Sequence, residues 1–138
     1  MSYQLLCAYD GSPAADKAFD FSVKLAKALG GVVHVLAVVQ PPEPMEDVET
    51  EALLESGQER FDKLFESLRK RATDAAVKAE FEVAVGHPAE QILYRADQLG
   101  TDHIVLGHRG RNRFARWLMG SVSQRVISYA SSLVTIVR

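Results

Sequence analysis

Cysteine is nearly absent from this 138-residue sequence, and long apolar runs are missing altogether. The one cysteine, Cys7, cannot form an internal disulfide, which favours a reducing compartment, and with nothing basic beside it we expect a buried structural thiol. No apolar stretch approaches the roughly 20 residues that span a bilayer, and no secretory signal is predicted at the start. We therefore expect a cytoplasmic protein without a membrane segment, and the length predicts a single domain over residues 1–138.

Motifs that would define a catalytic or metal centre are also missing. Neither the P-loop nor the Gly-x-Gly-x-x-Gly fingerprint occurs, and no Walker lysine is present to offset charge at the β and γ phosphates of a nucleotide. No Ser/His/Asp or Cys/His arrangement can be ordered from the sequence. The histidines show no metal-ligand spacing; they are His34, His87, His103 and His108. These absences favour ligand binding over catalytic turnover, and no protein-formed metal site is expected.

The charges are unevenly distributed along the chain, although the net charge is only −2. Residues 103–138 carry six arginines and no acidic residue, so residues 1–102 carry a net charge of −8. Four of these arginines lie inside or beside one loop: Arg109, Arg111, Arg113 and Arg116. A nucleic-acid surface usually comes with a basic balance overall, which this chain lacks. A small anionic ligand in a local positive field explains the asymmetry better, and we expect no nucleic-acid partner.

Apolar strand-like segments alternate with amphipathic helical segments along the whole sequence. Five strands are predicted: Gln4 to Tyr9, Val32 to Val39, Glu80 to Val85, Asp102 to Leu106 and Leu133 to Val137. The first of the helices between them is capped by Ser12, has Pro13 at its first position and carries an apolar stripe that ends in Leu29. This alternation predicts an α/β fold, a five-stranded parallel sheet with right-handed crossovers and helices on both faces. The proline-rich segment 40–47 is either a stiff connector or a lid over a ligand.

The segment from Gly107 to Ser121 has the features of a phosphate-binding loop. Gly107-His108-Arg109-Gly110 follows an apolar strand, and after nine further residues Gly120-Ser121 opens a predicted helix. A strand, a glycine-bearing loop and a helix N-terminus aim backbone N–H groups and the positive end of a helix dipole at one point, which suits an anion. Glycine reaches positive φ at little cost and lets a ligand approach the backbone closely.

This pattern of Gly-x-x-Gly, a nine-residue spacer and Gly-Ser resembles the nucleotide-binding signature of the universal stress protein family. The resemblance covers nearly the whole chain. Its other landmarks are Ala8-Tyr9-Asp10-Gly11-Ser12 at the end of the first strand, Gly86-His87-Pro88 at the start of the third helix and the closing strand Leu133 to Val137. There are two departures. His108-Arg109 stands where the family often has a small hydroxyl residue and then His or Arg, and Ser131-Ser132-Leu133 replaces a frequent Cys-Pro-Val.

The resemblance implies the strand order 3-2-1-4-5 in a Rossmann-like sheet similar to that of the adenine nucleotide alpha hydrolases. In such a sheet a ligand binds beyond the carboxyl ends of the strands, where the order reverses between the first and fourth strands. The implied ligand is ATP or another adenine nucleotide, with or without Mg²⁺. The implied site residues are Ala8, Tyr9, Asp10, Val38, Gly107, His108, Arg109, Gly110, Gly120, Ser121, Val122 and Ser123.

At the nucleoside end of this site, Asp10 is expected to accept a hydrogen bond from a ribose hydroxyl or from the adenine edge. Ala8 and Tyr9 would contribute backbone and wall, and Val38 would offer the purine an apolar surface. Alternatively, Asp10-Gly11-Ser12 is only a turn and a helix cap.

At the phosphate end, the donors are expected to be backbone N–H groups with two added hydroxyls. The N–H groups are those of Gly110, Gly120, Ser121 and Val122, and the hydroxyls are those of Ser121 and Ser123. Ser121 could instead merely cap the fourth helix, although capping and phosphate binding use the same cluster of N–H groups.

Three classes of function are compatible with the sequence. The chain is a nucleotide-binding stress or regulatory protein, a slow ATPase of the same fold, or a dimerisation module that binds no nucleotide. The intact glycine motif argues against the third class, and the missing catalytic groups favour the first. A homodimer is also expected, because the final strand would be an unprotected sheet edge with no proline and no inward charge.

Overall fold

The computed structural model describes residues 2–41, 47–108 and 120–138 of the chain. Within these residues strands and helices alternate throughout. The elements, in chain order, are β1 (Gln4–Ala8), α1 (Pro13–Leu29), β2 (Val32–Val39), α2 (Asp47–Asp74), β3 (Lys78–Val85), α3 (Pro88–Leu99), β4 (His103–Gly107), α4 (Ser121–Tyr129) and β5 (Leu133–Val137). The predicted segment 42–46 of the proline-rich loop lies outside the described residues, as do residues 109–119.

The strands form one parallel sheet in the order β3-β2-β1-β4-β5, which confirms the predicted topology. β1 lies at the centre and pairs with β2 on one side and β4 on the other. Helices α1 and α2 pack on one face of the sheet, and α3 and α4 pack on the other. The direction of the strand order therefore reverses between β1 and β4.

Three strands have boundaries that differ from the prediction. β1 ends at Ala8, one residue earlier than predicted. β3 begins at Lys78, two residues earlier than predicted, because it is an edge strand whose first residues pair with β2 while their side chains remain partly in solvent. β4 is shifted by one residue: the Asp102 carboxylate accepts a hydrogen bond from the Gln4 N–H (2.8 Å) beside the strand. At β3, the polar Lys78 at the strand start therefore misled the apolar criterion.

Helix α1 begins and ends as its sequence predicts. The Ser12 hydroxyl oxygen accepts a hydrogen bond from the Ala15 N–H (3.1 Å), and Pro13 occupies the first helical position. Gly30 ends the helix in the left-handed conformation at φ 66°. The stripe is buried as far as Ala26, but Leu29 at its end is 51% exposed, because it lies in the last turn beyond the sheet contact.

The apolar core has two parts, one on each face of the sheet. On the α1 and α2 side, four phenylalanines pack together: Phe19, Phe61, Phe65 and Phe81. The smaller part under α3 and α4 contains aliphatic side chains such as Leu6, Ile104 and Val126. Cys7 is fully buried in the larger part, and burial raises the pKa of its thiol to about 12, so the prediction of a buried structural cysteine is confirmed. No helix in the described part of the chain combines the length and the apolar character that crossing a bilayer requires.

The turn between α2 and β3 contains a strained residue, Ala76, at φ 57°. An L-residue with a Cβ atom in the left-handed region costs roughly 1–2 kcal/mol. We predict that Ala76→Gly raises the free energy of unfolding by about 1 kcal/mol, measured by urea denaturation. Ala75→Gly is the matched control, because Ala75 is not in this conformation and packs against the core, so it should destabilise. A lower unfolding free energy for Ala76→Gly would contradict the strain argument.

Candidate functional site

The candidate site lies at the carboxyl edge of the sheet, between the ends of β1 and β4. β1 ends at Ala8 and β4 ends at Gly107, and the two strands are direct neighbours. From Ala8 the chain passes to α1 on one face, and from Gly107 it passes to α4 on the other. Two loops that leave a sheet toward opposite faces leave a crevice between them, and ligands of open α/β sheets bind there.

The loop after β1 is a tight turn that fixes the Asp10 carboxylate. Asp10 Oδ1 accepts a hydrogen bond from the Ser12 N–H (2.9 Å), and Gly11 between them has φ 82°. This Asx turn requires the glycine, since few other residues reach that φ without strain. Asp10 is half-buried, and its second oxygen, Oδ2, has no hydrogen-bond partner within residues 2–41, 47–108 and 120–138. The turn thus holds a carboxylate at the crevice with one oxygen available.

Tyr9 anchors this loop from below. Its ring is buried, and its hydroxyl donates to Asp16 Oδ1 (2.9 Å), which also accepts from Arg71 Nη2 (3.0 Å). Burial, followed by the hydrogen bond to Asp16, raises the pKa of the Tyr9 hydroxyl. The side chain is therefore committed to the core, which leaves the backbone of Tyr9 and the half-buried Ala8 as the parts that the predicted site can use.

The loop after β4 returns to the strand end at Gly120. The His108 N–H donates to the Val137 carbonyl (2.8 Å), and the His108 carbonyl accepts from the Gly120 N–H (2.8 Å). The first bond ties the end of β4 to the end of β5, and the second places the start of α4 directly against the end of β4. His108 Nδ1 is buried and has no partner within the described residues. The predicted site residues Arg109 and Gly110 lie outside the described residues.

Within the described residues, no side chain caps the N-terminus of α4. Gly120 occupies the N-cap position, and the first intrahelical bond runs from the Gln124 N–H to the Gly120 carbonyl (3.1 Å). The N–H groups of Ser121, Val122 and Ser123 therefore have no acceptor within the helix. Since Ser121 is the first helical residue, the alternative that its hydroxyl caps the helix is wrong. The positive end of α4 lies at the crevice with its donors unsatisfied by capping.

Ser123 holds the helix in place and does not offer the predicted hydroxyl donor. It is buried, and its Oγ donates to the Gly107 carbonyl (2.8 Å). The hydroxyl proton is thereby used, so the expectation that it serves a phosphate is corrected. Ser123 can still contribute its backbone N–H.

Two glycines of the signature do not have positive φ. Neither Gly107 nor Gly120 is among the described glycines with positive φ, and Gly120 has an ordinary extended conformation (φ −62°, ψ 155°). A Cβ on Gly107 would lie 2.8 Å from Ala14 Cβ, so this glycine lets α1 pack against β4. Gly120 has a backbone geometry that alanine could adopt.

The ends of β1 and β2 give the crevice an apolar part. Val38 is half-buried and lies on the α3 and α4 side of the sheet together with Ala8 and Ala84. The uncapped N-terminus of α4 belongs to this same side. Of the predicted residues that the structure describes, Ala8, Asp10, Val38, Gly107, His108 and residues 120–123 therefore surround one edge of the sheet.

A cavity of about 120 Å³ lies elsewhere, on the α3 side of β2 and β3. Its polar groups satisfy one another: His34 contacts Gln4 (2.8 Å) and Glu80 (3.1 Å), and Arg95 binds Glu82 (2.6 Å). Because these groups are already paired, we do not assign the ligand site to this cavity. Within the described ranges, no three His, Cys, Asp or Glu side chains are grouped to hold a metal ion.

Sequence reasoning missed two sets of residues that support the site. Asp16 and Arg71 hold Tyr9 across a distance of 55 residues in the chain, which no local pattern signals. Gly57 lies inside α2 against the end of β2. Here a signal was present, because glycine is unfavourable in a helix interior and usually marks close packing.

The fold and this edge define the class: a doubly wound parallel α/β protein whose open helix N-terminus and fixed carboxylate meet where the strand order reverses. The sequence profile described as the Universal stress protein family matches residues 1–138. The chain belongs to the universal stress protein family. It is 32% identical to universal stress protein YxiE of Bacillus subtilis, with all of both chains covered. It is similar in structure to universal stress protein UspA of Lactobacillus plantarum, with a TM-score of 0.86, 26% identity and 99% and 97% of the two chains covered.

Two further solved structures of the same fold contain adenine nucleotides. One is a universal stress protein in complex with cAMP (TM-score 0.76, 22% identity, 99% and 97% of the chains covered). The other is the universal stress protein from Archaeoglobus fulgidus in complex with dAMP (TM-score 0.70, 20% identity, 100% and 98% covered). At these identities the likeness to this chain is one of fold.

Proposed function

We propose that this chain is a stress-response or regulatory protein that binds ATP, or another adenine nucleotide, at the carboxyl ends of β1 and β4. The observation that carries the proposal is the N-terminus of α4, which is held at the end of β4 with a glycine in place of a capping side chain. The backbone donors and the dipole of such a terminus favour an anion. The nucleotides found in fold relatives support the same ligand class.

The nucleoside would occupy the β1 and β2 side of the crevice. Asp10 Oδ2 would accept a hydrogen bond from the ribose or the base, and Val38 with Ala8 would cover the purine. The phosphates would lie on the N–H groups of Ser121, Val122 and Ser123, with His108 Nδ1 beside them. The predicted donor Gly120 N–H is already bonded to the His108 carbonyl and is not one of them. Mg²⁺, where it accompanies ATP, would be held mainly by phosphate oxygens and water, as is usual for this ion.

Binding rather than turnover is the activity that this arrangement supports. In the described residues near the crevice, Asp10 is the carboxylate, and one of its oxygens is fixed by the turn. Slow ATP hydrolysis and a nucleotide-free dimerisation role are the competing functions. Mass spectrometry of the supernatant released by heating the purified protein would identify a retained nucleotide and separate these functions.

The first test places a methyl group at the phosphate end of the crevice. Gly120→Ala should fold normally, since φ −62° and ψ 155° suit alanine, but its Cβ would block the approach of phosphate oxygens. We expect ATP affinity, measured by calorimetry, to fall about tenfold or more while adenosine affinity changes little. Equal losses for ATP and adenosine would place the phosphates elsewhere.

A second test uses two substitutions of Asp10. Asp10→Asn retains Oδ1 for the Ser12 turn but replaces the other oxygen with an amide group. We expect adenosine binding to lose roughly 1.5–3 kcal/mol, the worth of a hydrogen bond to a charged group, with the unfolding free energy unchanged. Asp10→Ala should lower both the affinity for adenosine and the free energy of unfolding. If Asp10→Asn binds adenosine as the unmutated protein does, Asp10 is only a turn residue.

A homodimer through β5 is a second proposed property, favoured by the pairing of the edge strand. The Leu133 N–H donates to the Asp102 carbonyl (3.3 Å), and the Val137 carbonyl accepts from the His108 N–H (2.8 Å). Because strand residues alternate, the N–H of Thr135 also faces β4, while those of Val134 and Ile136 face outward. Leu133 at the start of this edge is 64% exposed. A second copy could pair with this edge about a two-fold axis.

The edge is tested by moving one proline along β5. Ile136→Pro removes an outward donor and should shift the protein from dimer to monomer with the fold retained, as proline is tolerated on the open side of an edge strand. Thr135→Pro is the control: it removes a donor to β4 and should destabilise the fold. Light scattering after size-exclusion chromatography measures the oligomeric state of both variants. A monomeric unmutated protein at high concentration would exclude the dimer.

A further inference from the structure

Helix α2 contains a glycine, Gly57, where helix stability disfavours it. Glycine costs about 1 kcal/mol relative to alanine in a helix interior. At Gly57 a Cβ atom would lie 2.8 Å and 2.9 Å from the two methyl carbons of Val39, distances that real contacts do not show. Val39 is β-branched and attached directly to a strand, so its methyl groups cannot swing away. The glycine therefore permits the backbone of α2 to pass directly over the end of β2.

Val39 belongs to the rim of the candidate site. It is the last residue of β2, and its carbonyl accepts a hydrogen bond from the Gly86 N–H (3.0 Å), which fixes the loop between β3 and α3. Its neighbour Val38 points to the opposite face, where the purine surface is proposed. Any shift of Val39 must therefore move the backbone that carries Val38.

The next turn of α2 contacts the other side of the nucleoside end. A Cβ on Gly11 would lie 3.1 Å from Arg60 Nη2 and 3.3 Å from Leu64 Cδ1. Gly11 directly follows Asp10 and shapes the turn that holds its carboxylate. One helix thus contacts the segment that carries Val38 and the segment that carries Asp10.

The same helix continues on the N-terminal side of Gly57. Residues Phe61, Phe65, Leu68 and Ala72 of α2 are buried in the core, and Gly57 lies at the carboxyl end of β2. The segment 47–56 precedes this contact, so about 15 Å of helix lies on its N-terminal side. Forces on that segment would reach the rim through Gly57.

We propose that α2 sets the width of the nucleoside end of the site, with Gly57 as a positioning residue that acts through Val39. The proposal rests on the proposed nucleotide-binding function. It separates the two ends of the crevice: the nucleoside end is positioned by α2, and the phosphate end by the bonds of His108, Gly120 and Ser123 at β4. Overpacking at Gly57 should consequently disturb recognition of the nucleoside and spare recognition of the phosphates.

The experiment measures the affinities of ATP, adenosine and inorganic tripolyphosphate for the full chain by calorimetry. Gly57→Ala should weaken adenosine and ATP by about tenfold or more, in line with the cost of an overpacked contact, and leave tripolyphosphate unchanged. The double variant Gly57→Ala with Val39→Ala removes the opposing methyl groups and should recover adenosine affinity to within about threefold of that of Val39→Ala alone.

The outcomes distinguish this inference from the proposed function. Unchanged adenosine affinity in Gly57→Ala, or a double variant that does not recover, overturns the role of Gly57 and leaves nucleotide binding standing. Equal losses of tripolyphosphate and adenosine affinity in Gly57→Ala also overturn it. An unmutated protein that binds none of the three ligands overturns the proposed function and this inference together.

Discussion

Strands β1 and β4 lie side by side at the centre of a parallel sheet, and the chain leaves their carboxyl ends toward opposite faces. This divergence opens the crevice on which the candidate site depends, because loops that leave on the same face would cover the sheet edge. Close packing maintains it: Gly107 at the end of β4 lies against Ala14 of α1, where a methyl group would not fit. The helix that follows β1 is thus fitted to the end of β4.

The site combines two kinds of group that are positioned independently. On the β4 side the donors are backbone N–H groups, and two hydrogen bonds to the backbone of the strand end, from the Gly120 N–H and the Ser123 hydroxyl, keep the start of α4 there. On the β1 side a carboxylate is fixed by its own turn, and the turn is anchored from below by Tyr9, Asp16 and Arg71. An open helix terminus favours negative charge, whereas a carboxylate accepts hydroxyl or amino hydrogens. A phosphorylated nucleoside has both features.

The sequence motif indicates a candidate site, but the roles that it suggested for several residues are wrong. Glycines that were expected to provide positive φ do not provide it: Gly107 serves helix packing, and Gly120 has an extended backbone. The Ser123 hydroxyl, expected at a phosphate, donates to the Gly107 carbonyl. Such errors share one cause, since a motif gives the order of residue types along the chain but not the neighbours that each meets across the sheet.

The sequence by itself determined the alternation of elements, the cap of α1, the burial of Cys7 and, through its family resemblance, the strand order. These follow from local periodicity, turn chemistry and hydrophobicity, which act between near neighbours in the chain. Only the tertiary structure decided which polar groups at the sheet edge lack a hydrogen-bond partner among the described residues, and toward which side of its strand each N–H points. It also decided how closely α2 passes over Val39. Those properties arise from contacts between segments far apart in sequence, and their distances are set by packing that no single segment encodes.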